Sequence, residues 1–113
     1  MANIRIRQTE GTWVVRAGGA VIAETQNALE LAEDGYPEVI YFPRDGVAMA
    51  FLDDSATVTH CPHKGDARYF NLVTKSTTLP DAVWSYESPK AEVAEIAGYL
   101  AFMPNDLVAV ERI

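Results

Sequence analysis

Turn-forming residues cut this chain into segments too short for long helices. Gly18-Gly19, Asp34-Gly35-Tyr36-Pro37, Pro43, Pro62, Gly65, Pro80, Pro89 and Pro104-Asn105-Asp106 recur along it, and glycine and proline are the strongest local punctuation a sequence carries. Between them lie short runs of β-branched and aromatic residues. Ile4 and Ile6 alternate with Arg5 and Arg7, the period of a half-buried strand. Thr12 to Ala17 and Ala20 to Glu24 flank Gly18-Gly19 and predict a hairpin. Gln26 to Glu33 carries Ala28, Leu29, Leu31 and Ala32 among polar residues, which predicts a short helix or a loop with one helical turn. Glu38 to Phe42 reads as a strand stopped by Pro43. Asp45 is a candidate N-cap for a helical turn through Val47, Met49 and Leu52. Ala56 to Cys61 and Ala67 to Lys75 predict strands joined by a turn at Pro62 to Asp66. Asp81 to Tyr86 predicts another strand, and Lys90 to Ile96 a helical turn. Tyr99 to Met103 and Leu107 to Glu111 read as a final hairpin. The expectation is a mainly β, antiparallel single domain over 1–113, with about eight short strands and one or two helical turns.

At 113 residues the chain suits one core and is too short for two. Its 49% apolar and 22% charged residues are those of an ordinary globular domain. No apolar stretch approaches the roughly 18 to 20 residues needed to cross a bilayer, and the N-terminus lacks the pattern of a secretory signal. No membrane partner is expected. One cysteine makes no internal disulfide, and a free thiol suits a reducing compartment, so the expected location is cytoplasmic. The net charge of -7 repels a phosphate backbone, and the nine basic residues form no stripe. Nucleic-acid binding is therefore not expected.

Chemistry-bearing residues concentrate in one window. Both histidines and the only cysteine lie in His60-Cys61-Pro62-His63, followed by Lys64-Gly65-Asp66. A structural zinc site needs four ligands, and strand alternation sends His60 and Cys61 to opposite faces, so no metal is expected. Cys61 is a candidate nucleophile, with His60 or His63 as base, because an imidazole or ammonium nearby stabilises a thiolate. The plainer reading of Cys61 is a small buried hydrophobe. Lys64-Gly65 lacks the glycine-rich stretch of a phosphate loop, and Gly65 suits a positive φ in the turn. Asp53-Asp54 diverge on a regular strand and do not converge on a magnesium ion. Tyr41, Tyr69, Trp84 and Tyr86 fall in strands, where aromatics fill cores or pair across strands. Set near Arg44 and Lys64, they would wall a small-molecule pocket.

Several blocks resemble a known family. Tyr41-Phe42-Pro43-Arg44, then Cys61-Pro62-His63-Lys64-Gly65-Asp66-Ala67-Arg68-Tyr69, then Trp84-Ser85-Tyr86 with Pro89, and Gly98 with Ala101-Phe102, are similar to the family named domain of unknown function 427. The likeness is strongest from about Val39 onward. The family is sometimes labelled nucleotidyltransferase-like, although the metal carboxylates and phosphate loop of that chemistry are absent from this sequence. The resemblance implies a β-tent-like architecture of two antiparallel sheets. Relatives of that architecture hold zinc through paired Cys-x-x-Cys motifs, which this chain lacks, so no cofactor is implied. The leading expectation is a protein that binds a small anionic or carbonyl-containing molecule in a pocket lined by Tyr41, Arg44, Cys61, Lys64, Tyr69 and Trp84. The alternatives are an enzyme using Cys61 as nucleophile or redox thiol, and an interaction module without a ligand. A homodimer burying the Cys61 loop would favour the last.

Overall fold

The computed structural model describes residues 3–113. It is mainly β, with two antiparallel sheets and three short 3₁₀ segments. In chain order the strands are β1 (Ile4–Gln8), β2 (Trp13–Ala17), β3 (Ala20–Thr25), β4 (Leu29–Glu33), β5 (Val39–Phe42), β6 (Leu52–Cys61), β7 (Gly65–Val73), β8 (Thr78–Ser85), β9 (Leu100–Phe102) and β10 (Val108–Arg112). Seven form one sheet in the order β1-β4-β5-β9-β8-β7-β6, and three form the other in the order β10-β2-β3. The 3₁₀ segments are Arg44–Gly46, Met49–Phe51 and Ala91–Ile96.

Each face of the larger sheet builds its own core. Alternation along a strand sends successive side chains to opposite faces. Phe42, Phe70, Val83, Leu100 and Phe102 therefore point one way and pack with Val15, Ile22, Ala23 and Val108 of the smaller sheet. Phe42 and Phe102 meet edge to face, 5.7 Å between centroids, a preferred aromatic geometry. Their neighbours Tyr41, Ala67 and Ala101 point the other way, where Leu31, Tyr86, Val93 and Ile96 complete a second cluster. The 3₁₀ segment Ala91–Ile96 supplies Val93 and Ile96, both fully buried, so this short segment covers the second face. β9 is buried on both sides, as befits a strand between β5 and β8. At the opposite end of the order, β6 is an edge strand ten residues long.

The mainly β, antiparallel fold forms as expected, with ten strands where about eight were expected. Three finer expectations are corrected. The segment predicted as a short helix or loop holds β4, which pairs with β1 and β5; two flanking partners override an ambiguous local pattern. Tyr99 to Met103 and Leu107 to Glu111 do not form a hairpin. β9 enters the large sheet while β10 pairs with β2 in the small one, and the Asn105–Val108 bridge lies within the turn between them. Asp45 lies inside its 3₁₀ segment, where Pro43 occupies the cap position and no side chain caps the turn. The Gly18-Gly19 hairpin forms as expected, with both glycines at positive φ.

Candidate functional site

The Cys61 loop is the tip of the β6–β7 hairpin. Cys61 pairs with Gly65 across Pro62-His63-Lys64, and the Lys64 N–H donates to the Cys61 carbonyl. Gly65 takes a φ of +107°, a conformation that suits a residue without a Cβ. The Lys90 N–H donates to the Lys64 carbonyl, so the segment leading into Ala91–Ile96 is tied to the loop.

From there the Lys64 side chain reaches Glu33 at the end of β4, with Nζ 2.9 Å from Oε1. The two side chains keep only 13% and 10% of their exposure, so the ions form a largely desolvated pair. Burial pulls the Lys64 ammonium down, but the hydrogen bond it donates to Glu33, with Tyr86 and Cys61 nearby, outweighs it and leaves Lys64 raised. Burial likewise raises the phenols of Tyr41 and Tyr86, which keeps both neutral and able to donate. The Trp84 indole N–H donates to the Tyr41 hydroxyl at 3.4 Å. Tyr69 leans on Trp84, with centroids 6.5 Å apart, and shares a hydrogen bond with Thr59 on β6. Cys61 packs against this same cluster, half-buried and free.

Five of the six residues expected to line a pocket thus share one face: Tyr41, Cys61, Lys64, Tyr69 and Trp84. Arg44 lies apart from them. Its guanidinium sits over the ring of Phe70, 5.7 Å from the centroid, and Phe70 belongs to the core between the sheets. Alternation also separates the candidate thiol from its nearest candidate base. His60 faces away from Cys61 and binds Asp66, Nδ1 to Oδ1 at 2.7 Å, in an exposed pair. Asp53 and Asp54 pair with Asn71 and Phe70 across the β6–β7 ladder, and Asp54 engages Arg68 at 2.7 Å. Among the described residues, no three His, Cys, Asp or Glu side chains are grouped to hold a metal ion. No helix among them is long and apolar enough to cross a membrane.

Glu33 was not singled out in the sequence. It lies 31 residues from Lys64, and nothing local links an acid in an apparent helical turn to a lysine at a hairpin tip. The tertiary fold does so, by bringing the tip of the β6–β7 hairpin to the end of β4, although the two are not neighbours in the sheet.

An antiparallel two-sheet domain with a tyrosine-rich face and a desolvated Lys–Glu pair at its hairpin tip defines the class. The chain belongs to the family described as domain of unknown function (DUF427), whose model, labelled NTP_transf_9, matches residues 5–112. No curated protein matches the chain.

Proposed function

We propose that the face bearing Tyr41, Cys61, Lys64, Tyr69 and Trp84 binds a small molecule through an anionic or carbonyl group. The observation that carries this reading is the Lys64–Glu33 pair, held at about a tenth of its exposure among neutral phenols. Taking two charges out of water is costly, and replacing such a pair by apolar residues is often neutral or stabilising. A desolvated ammonium beside Tyr86, on the face that carries the partly buried rings of Tyr69 and Trp84, suits recognition better than stability. Lys64 supplies three donors and Glu33 uses one of them, so a ligand oxygen can share the ammonium without breaking the pair. The rings of Tyr69 and Trp84 supply flat apolar contact.

A second reading rests on Cys61, whose thiol lies within electrostatic reach of Lys64. The free thiol is the group that such chemistry would use. A reducing, cytoplasmic setting suits either reading. A thermal-shift screen of small carboxylates, ketones and aldehydes tests the first. At least one compound is expected to raise the Tm of the wild type while leaving Lys64→Met and Tyr69→Ala unmoved. A screen in which every stabilising compound acts equally on all three proteins, or none acts, would sink it.

A further inference from the structure

On the opposite face of the large sheet, Arg44 and Arg68 converge on a single carboxylate. Arg44 Nη2 lies 2.6 Å and Arg68 Nη1 3.5 Å from the same oxygen of Glu87, Oε2. Both guanidinia also lie over the Phe70 ring, at 5.7 and 4.5 Å from its centroid, so an aromatic floor fixes their planes. Arg68 further holds Asp54. Two guanidinia carry ten N–H donors in rigid forks, and two carboxylate oxygens use only a few of them. Beneath this layer is Ser85, directly opposite Arg68 in the β7–β8 register and therefore on the same face. Its hydroxyl is fully buried and has no hydrogen-bond partner among the described residues. Orphaned buried hydroxyls are uncommon and call for an explanation. Beside the cluster opens a groove of about 460 Å³, lined by Val58, His60, Asp66, Arg68, Glu87 and Ser88.

We infer that this cluster is a carboxylate-binding site occupied at rest by the protein's own Glu87. A ligand carboxylate entering the groove takes the place of Glu87 between Arg44 and Arg68, and Glu87 swings to solvent, where it is already two-fifths exposed. The exchange of one carboxylate for another keeps the local charge constant. A phosphate dianion would add an uncompensated charge beside Asp54 and Asp66, so the site suits a monocarboxylate. Val58, an exposed apolar side chain in the groove, suits a ligand with a short apolar body. Ser85 lies buried on the same face, outside the groove lining, and the exchange does not require it. The site lies on the face away from Lys64, so it stands or falls separately from the function proposed above.

The test is a titration of the full chain with sodium benzoate at constant ionic strength, followed at the arginine Nε–H signals by NMR. Benzamide serves as the uncharged control and sodium phosphate as the competing anion. Benzoate is expected to shift the Arg44 and Arg68 signals, and benzamide to leave them in place. Glu87→Gln removes the internal competitor while keeping its shape, so benzoate should bind it about tenfold more tightly. Arg68→Lys keeps the charge but loses the fork and should weaken binding by about the same factor. If Arg68→Lys fails to fold, Arg44→Lys serves in its place. Arginine signals in Glu87→Gln that ignore benzoate, or that move equally with benzamide, overturn the inference. Tighter binding of phosphate than of benzoate overturns its commitment to a monocarboxylate.

Discussion

Replacing Lys64 by methionine probes the desolvated pair most directly. Methionine keeps much of the stem's volume, so the change removes the charge and little packing. At the observed 2.9 Å and an effective dielectric constant of about 20, the gross attraction is about 6 kcal/mol. Most of that is offset by the desolvation of the two ions. The measured cost comes from leaving Glu33 without its partner, about 3–5 kcal/mol for a fully buried pair and below about 1 kcal/mol for an exposed one. With the side chains at 13% and 10% exposure, about 3 kcal/mol is expected, or about 15 °C in Tm for a domain of this size. Urea unfolding with m held common reads it. In the double variant Lys64→Met/Glu33→Leu, most of the loss should return, because no uncompensated charge remains. A single-variant cost below about 1 kcal/mol would mean that water reaches the pair, and the argument from a desolvated ion pair would fail. A double variant as unstable as the single would place the loss in packing instead.

Three further outcomes follow from the geometry. The raised groups Lys64, Tyr41 and Tyr86 all hold their protons more tightly in the folded state than in the unfolded one. Their contribution is fully present below the ordinary values of 10.0 and 10.5 and is lost as the pH rises beyond them. Stability should therefore fall above about pH 10 and fall less steeply in Tyr86→Phe; an unfolding free energy flat from pH 9 to 11 would contradict this. Gly18 and Gly19 both have positive φ, but a Cβ at Gly18 would meet Thr74 Cβ at 2.9 Å while one at Gly19 meets nothing within 4 Å. Gly18→Ala should cost about 1–3 kcal/mol more than Gly19→Ala, and equal costs in urea would refute the clash. Cys61 should react with iodoacetamide faster in the wild type than in Lys64→Met at pH 7.5, and identical rates would remove Lys64 from any role in thiol chemistry.

The general architecture was legible in the sequence because turn chemistry and period-two alternation are local signals. The Gly18-Gly19 hairpin and the Gly65 turn formed where glycine marked them. Leu29-Glu30-Leu31-Ala32 misled because its apolar spacing also fits a helix, and pairing with β1 and β5 decided the matter. Pro104-Asn105-Asp106 does make a turn, in which Asn105 Oδ1 accepts from the Leu107 and Val108 N–H groups. The strands it joins then part to different sheets, which no local signal encodes. Of the candidate site, Lys64, Cys61 and the aromatic residues were readable as residue types near one another. Glu33, Glu87 and Ser85 were not, because each takes its meaning from a residue far away in sequence. Arg44 follows Tyr41 by three residues, yet alternation past Phe42 and the turn at Pro43 carry it to the other face.

The strand order of the large sheet also sets the course of folding. β9 sits between β5 and β8, so the sheet remains two separate pieces, β1-β4-β5 and β8-β7-β6, until residues 100–102 arrive. The small sheet is likewise incomplete until β10 joins β2. A growing chain therefore presents open strand edges for most of its synthesis, and its decisive pairings span long loops whose closure is slow. Folding should be a late, cooperative event, in which a three-residue strand joins two half-sheets into one.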